Sequence, residues 1–229
     1  WAHPKDMLKE GLYYSLGGEE YSEEKCKYLI EDEERRVCLN TSDERIIENV
    51  PGLRGGDVRK IIRRRTEGSE DGEERQKQFQ TIEELRYLFR NIDDTIWFGD
   101  DNAPGLRDLL TRWGNGLINI NTAPEEVLEC IPDLRSGAVG AIMNFRAGQD
   151  GRIGTEDDKW FNDLGQVTKE TGISMDALQP YCTVQSQFYT ITGIATLRQG
   201  KVRASCRATV VVTEASANIL QWREEPIGS

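Results

Sequence analysis

Residues 40–65 read NTSDERIIENVPGLRGGDVRKIIRRR, and residues 121–146 read NTAPEEVLECIPDLRSGAVGAIMNFR. The second stretch follows the first at a constant offset of 81 without a gap, and eleven of its 26 positions are identical, from Asn40, Thr41 and Glu44 through Pro51, Leu53 and Arg54 to Ile61 and Arg65. Most other apolar positions stay apolar. Self-similarity at one fixed period marks a duplicated structural unit. After each copy comes a polar stretch with glycine, then a phenylalanine that opens a second periodic segment, Phe79 to Leu85 and Phe161 to Val167. Repeat 1 therefore runs from about residue 40 to 95 and repeat 2 from about 121 to 178.

Each copy reads as two helices joined by a tight turn. Thr41 or Ser42, and Thr122, are capping residues, and Glu44, Glu125 and Glu126 lie in the first turn, where the helix dipole favours acids. Pro124 suits an early helical position. Ile46, Ile47 and Val50 form one apolar face, and Val127, Leu128 and Ile131 its counterpart. Pro51-Gly52 and Pro132-Asp133 end the first helix of each pair. Val58, Ile61 and Ile62, then Val139, Ile142 and Met143, carry the second.

The chain ends follow a different period. Phe188 to Leu197 is aromatic and β-branched, Gln199-Gly200-Lys201 supplies a turn, Val202 to Thr213 alternates, and Asn218 to Trp222 offers a third strand. Near the start, Tyr28-Leu29-Ile30 and Val37-Cys38-Leu39 flank the charged turn Glu31 to Arg36, which predicts another hairpin. The expected fold is α+β: an antiparallel sheet from residues 1–39 and 187–229, with a large helical insertion over 40–186 built from the two helix-turn-helix repeats. Glu67 to Lys77 is the clearest loop.

Composition removes several classes of function. The chain has 229 residues, 37% hydrophobic and 30% charged, which is a polar globular composition with enough length to bury a core. Its longest run of apolar side chains is of the order of Val210-Val211-Val212, against the roughly 18 residues that cross a bilayer. It opens at Trp1 without a charged or apolar leader, so the expectation is either a cytoplasmic protein or one from which a targeting segment has been removed. The single histidine, His3, lies at the very start, which excludes a Ser-His-Asp triad or a histidine-based zinc site in the body of the chain. The five cysteines, Cys26, Cys38, Cys130, Cys182 and Cys206, form no C-x-x-C pair and read as buried small hydrophobes, with a Cys26–Cys38 bridge as the alternative. No G-x-S-x-G, P-loop or dinucleotide fingerprint is present, so no enzyme is expected.

Three strings carry a resemblance: Val37-Cys38-Leu39-Asn40-Thr41, then Ile118-Asn119-Ile120-Asn121-Thr122-Ala123-Pro124-Glu125-Glu126-Val127-Leu128, and the closing Ile219-Leu220-Gln221-Trp222-Arg223-Glu224. In this order, around the helices, they resemble the protein K family of type II secretion system minor pseudopilins, over about Glu10 to Arg223. The resemblance implies a pilin-like sheet, a non-enzymatic role at the pseudopilus tip, and assembly with the I and J minor pseudopilins to initiate or cap the filament for protein export. It also implies a periplasmic soluble part anchored in the inner membrane by an N-terminal hydrophobic helix, which is expected to precede Trp1.

Two charged clusters invite sharper readings. The loop Gly148 to Asp158 packs four carboxylates around three glycines, a composition that lets oxygens converge on a hard cation, although its spacing is not that of an EF-hand. The second acidic turn, Gly99-Asp100-Asp101-Asn102, adds further carboxylates. Two solvated acidic turns are the plain alternative. The resemblance implies calcium in the helical region, and the candidate ligands are Asp150, Asp157 and Asp158, with Asp100 and Asp101. In repeat 1, Arg54, Arg59, Lys60, Arg63, Arg64 and Arg65 stand against Asp57 alone, and the hairpin resembles a helix-hairpin-helix that offers backbone amides to a DNA phosphate. Against nucleic acid stand the net charge of −11 and Asp133, an anion in the second turn where a phosphate would approach. Nucleic acid is therefore the alternative, carried by Arg54, Arg59, Lys60, Arg63 and Arg64. Trp97, Phe98, Trp113, Trp160 and Phe161 read as core anchors rather than a ligand cage.

Overall fold

The computed structural model describes residues 14–15, 25–66, 78–89, 92–134, 136–197 and 202–225. The loop over 67–77, the turn at 199–201, Arg135 and the side chain of Cys26 lie outside these. The chain enters through β1 (Tyr14–Ser15) and β2 (Lys25–Asp32), passes a 3-10 turn (Glu33–Arg35) and reaches β3 (Val37–Cys38). Repeat 1 follows as α1 (Glu44–Glu48), α2 (Gly55–Thr66), α3 (Glu84–Leu88) and α4 (Asp94–Phe98). It closes with β4 (Gly99–Asp100), β5 (Ala103–Pro104), α5 (Leu106–Leu109) and β6 (Leu110–Thr111). Repeat 2 is shorter: β7 (Ile118–Asn119), α6 (Glu125–Leu128), α7 (Ser136–Arg146), α8 (Leu164–Thr171), α9 (Met175–Leu178) and β8 (Cys182–Thr183). Then come β9 (Phe188–Leu197), β10 (Val202–Val212) and β11 (Ala217–Glu225).

Four long strands pair antiparallel in the order β2-β9-β10-β11, with β1 beside β2, so both chain regions contribute to one sheet as the alternation predicts. The hydrophobic core lies elsewhere, between the helices. Ile46, Ile47, Val58 and Ile61 of repeat 1 join Val127, Leu128, Val139 and Ile142 of repeat 2 in a single buried cluster.

The repeat seen in the sequence is a repeat of hydrogen bonds. Asn40 receives the amide of Phe79 at 2.8 Å and donates to the carbonyls of Phe79 and Arg112 at 3.1 and 2.9 Å. Asn121 receives the amide of Phe161 at 2.8 Å and donates to Phe161 and Val184 at 2.9 and 3.0 Å. In each copy one asparagine thus ties three chain segments together, which explains why both are Asn: the task needs an acceptor and two donors on one short side chain. Arg65 donates to the Ser42 carbonyl at 3.0 and 2.9 Å, and Arg146 donates to the equivalent Ala123 carbonyl at 2.5 Å. The hairpin turns match as well. Gly52 has φ 87° and Asp133 has φ 64°, so the second copy holds an aspartate in the left-handed region, one of the few non-glycine residues that tolerate it. Asn49 and Cys130, again equivalent, touch each other: Asn49 Nδ2 donates to the Cys130 carbonyl at 3.1 Å, and Cys130 Sγ lies 3.6 Å from the Asn49 carbonyl while its shorter contact, 3.1 Å, is to the Glu126 carbonyl. The two copies therefore meet at an equivalent position of each.

Several local expectations are corrected. Residues 28–30 and 37–39 form no hairpin: β2 pairs with β9, whereas β3 pairs in parallel with β6, as β7 does with β8. Each repeat is thus closed by a two-residue parallel bridge between its beginning and its end, and β3 belongs with the helices. The α1 cap is Asp43, not Thr41 or Ser42, because Ser42 Oγ is occupied by the amide of Cys38. Pro124 occupies the cap position of α6 with no side-chain bond, and Thr122 is engaged elsewhere by Asp32. Trp97 and Phe161 are core residues, but Phe98 and Trp160 are exposed. Cys38, Cys130, Cys182 and Cys206 are free thiols, the first three buried, so Cys38 makes no bridge to Cys26.

Loss of the asparagine triple bond should cost about 3 kcal/mol at Asn121, where three bonds of about 1 kcal/mol each are removed from a buried site. Urea unfolding of Asn121→Ala and Asn40→Ala should give the larger loss at Asn121, because Asn40 is only half-buried. Equal or inverted losses would contradict this assignment.

Candidate functional site

Asp32, Glu33 and Glu34 occupy the corner where β2 leaves the sheet, and all three are buried. Asp32 Oδ2 accepts bonds from Thr122 Oγ1 at 2.5 Å, Ser186 Oγ at 2.7 Å and Asn119 Nδ2 at 3.0 Å, all from repeat 2 or the segment leaving it. Glu33 accepts from Thr111 of β6 and Thr190 of β9, each at 2.5 Å, and pairs with Arg36 at 3.6 Å. Glu34 accepts the amides of Gln187 at 2.6 Å and Asn115 at 3.1 Å. Three consecutive carboxylates therefore join the sheet to both repeats. Burial pushes the Asp32 carboxyl up, against the lowering effect of its four donors, and it pushes Glu34 up as well, helped by the nearby charge of Asp32. Sequence reading missed this corner, because six charged or acidic residues in a row between two apolar triplets look like a solvated turn. Their partners lie far away in the chain.

The acidic loop over 148–158 is arranged around Asp157. Its Oδ2 accepts the amides of Gln149 at 2.5 Å and Asp150 at 3.0 Å, and its Oδ1 accepts Thr155 Oγ1 at 2.7 Å. The Thr155 hydroxyl and those two amides hold the Asp157 carboxyl down at about 2. Buried Asp158 accepts the amide of Gly154 at 2.8 Å and shares the Thr155 hydroxyl at 3.4 Å, whereas the carboxylate of exposed Asp150 turns to the Arg152 amide. Gly148, at φ 66°, is needed there, since a Cβ would run into the Asp157 backbone oxygen. Asp100 caps its own turn, accepting the amides of Asn102 and Ala103, and Asp101 is exposed beside it. The structure brings Asp157 and Asp158 together. Among the described residues it gathers no group of three or more His, Cys, Asp or Glu side chains fit to hold one metal ion. As folded, the loop offers a cation two carboxylates, and a calcium ion would draw its remaining oxygens from backbone carbonyls and water.

The basic strip divides into two parts. Arg65 is used inside the fold, and Arg64 pairs with Glu84 and lies 4.7 Å over the Phe79 ring. Arg54, Arg59, Lys60 and Arg63 are exposed, with Lys60 3.8 Å from Asp57 and 5.5 Å over the Phe89 ring. The strip is thus smaller than its sequence suggests. Exposed apolar side chains gather instead on the sheet, where the edge strand β11 presents Ile219, Leu220 and Trp222, the last 54% exposed. Such side chains beside a strand edge that no other described strand pairs with are suited to contact with another protein. Among the described residues no helix is long and apolar enough to cross a membrane.

The chain is α+β, with one antiparallel sheet built from N- and C-terminal strands and a helical unit between them. It is similar to a chain in the crystal structure of the GspK–GspI–GspJ complex from the type II secretion system of enterotoxigenic Escherichia coli, with a TM-score of 0.55 and 12% sequence identity. The likeness covers 95% of this chain and 84% of that one, and at this identity it is a likeness of fold. No protein-family profile and no curated protein matches the chain.

The raised Asp32 and Glu34 carboxyls fix a direction of pH dependence. A folded-state value above the unfolded one contributes stability at low pH that is lost as pH rises through the folded value. The stability of Asp32→Asn relative to the unsubstituted protein should therefore improve between pH 4 and pH 7, as measured by urea midpoints. Parallel curves would show that Asp32 does not titrate differently on folding.

Proposed function

We propose that the chain is a non-enzymatic minor pseudopilin of the type II secretion system, the subunit that assembles with the I and J minor pseudopilins at the pseudopilus tip. The likeness of fold over nearly the whole chain to a member of such a complex carries this reading. Two features of the molecule support it. The hydrogen bonds between sheet and helical unit, through Asp32, Glu33, Glu34 and Arg112 to Gln221, gather at one end of the sheet, so the larger helical part crowns the sheet. A bulky crown at one end leaves no room for a further subunit above it and leaves the β11 edge open to partners below. In this reading the chain is the periplasmic part of an inner-membrane protein, its anchor helix preceding Trp1, and its work is to start or cap the filament for export across the outer membrane.

Calcium belongs to the same proposal. Asp157 and Asp158 would bind the ion, with a turn of the exposed Asp150 carboxylate away from the Arg152 amide needed to add a third, and would stiffen the loop that follows α7. Binding to the folded state alone raises its stability. The melting temperature of chelator-stripped protein should rise on addition of calcium, and Asp157→Asn should abolish the rise. An unchanged melting temperature removes calcium from the reading.

Size-exclusion chromatography with light scattering, on this chain mixed with the soluble parts of its I and J partners, should show one complex of one copy each. Three separate peaks would overturn the tip-subunit reading for the soluble parts.

A further inference from the structure

A groove of about 410 Å³ opens beside the hairpin turn of repeat 1. Its floor is apolar, built from Leu53, Phe89, Ile92, Ile96 and Leu106, and its rim is charged, with Arg54 and Lys60 against Asp57. Asp57 organises that rim: its Oδ2 accepts the Arg54 amide at 3.3 Å, and its Oδ1 lies 3.8 Å from Lys60 Nζ. Lys60 in turn lies over the Phe89 ring at 5.5 Å, at the border between rim and floor. The Arg54 side chain is exposed.

Most of this groove is peculiar to repeat 1. Ile96 and Leu106 belong to the α4–α5 segment, and the stretch from Phe79 to β6 is longer than its counterpart from Phe161 to β8. The rim has diverged too. Arg54 is matched by Arg135, but the positions of Asp57 and Lys60 are Ala138 and Ala141 in repeat 2. The hydrogen-bonded frame is common to both copies, while repeat 1 alone places Asp57 and Lys60 beside an apolar floor.

We propose that this groove binds an acidic peptide segment of another protein that carries one bulky apolar side chain. The apolar side chain fills the floor between Phe89, Ile96 and Leu106, and flanking carboxylates meet Arg54 and Lys60. Charge selects this occupant. The chain has a net charge of −11, so an acidic partner is repelled over most of the surface and is drawn to a basic rim. The apolar floor separates the groove from a phosphate site, since a nucleic-acid backbone has nothing to place there.

The test is an NMR titration of the isotope-labelled full chain with a synthetic pentapeptide, one phenylalanine flanked on each side by two acidic residues. An alanine-centred version and a short DNA duplex serve as competitors. Amide shifts should localise to Gly55, Gly56 and Ile96. Replacing the phenylalanine should weaken binding about tenfold, the scale of one buried aromatic side chain. The double variant Arg54→Glu/Lys60→Glu should weaken it by about tenfold or more, and Arg207→Glu on the sheet should leave it unchanged. The alanine-centred peptide keeps the protein intact, so the test survives if the double variant does not fold. Absence of shifts at millimolar peptide, equal binding of the two peptides, or indifference to the double variant would overturn the proposal. Tighter binding of the duplex at the same amides would overturn it too, and would assign the groove to nucleic acid.

Discussion

The architecture depends on three neighbouring carboxylates placed in the protein interior. Asp32, Glu33 and Glu34 leave water where β2 ends, and the cost of that burial is offset only if almost every oxygen finds a donor. The donors come from β6, from the turn after it, from the first turn of repeat 2 and from the entry to β9. They fall in two stretches, Thr111 to Thr122 and Ser186 to Thr190, both far from Asp32 in sequence, so the carboxylates are satisfied only when the sheet, the end of repeat 1 and the start of repeat 2 have come together. This is a device for specificity more than for strength. An apolar corner would hold the same parts as firmly, but it would not dictate their register.

The duplicated unit shows the same economy at a smaller scale. Asn40 and Asn121 each close a loop of some length by gripping the backbone on either side of it, and the two-residue parallel bridges β3–β6 and β7–β8 finish the closure. What lies between these fixed points is free to vary. Repeat 1 has used that freedom to add α4, α5 and the groove they border, and repeat 2 to build the glycine-rich acidic loop over 148–158. Function, on this view, sits in the differences between the copies, and the fold in what they share.

Much of the fold was legible in the sequence because its determinants are local. The period of apolar residues placed α1, α2, α6 and α7, the alternation placed β9, β10 and β11, and the offset of 81 showed that the helices come as two equivalent pairs. The errors have one physical origin. The pairing of β3 with β6, the burial of Glu33 and Glu34, and the recruitment of Thr122 away from helix capping are all decided by partners scores of residues distant, which no local pattern records. The candidate sites were legible in part. The neighbourhood of Asp157 and Asp158 follows from the loop itself, whereas Asp100 and Asp101 are not gathered with them. The groove could not be seen in advance, because its floor is assembled from α4, α5 and the hairpin.

The contact between Asn49 and Cys130 shows what two copies in one chain can do that two identical chains cannot. Were the same unit to meet a second copy of itself at this point, one kind of side chain would have to be its own partner. Within one chain that requirement is gone: one position is an amide that donates across the junction, the other a thiol whose shorter contact is to its own helix, and the two sides of the junction differ.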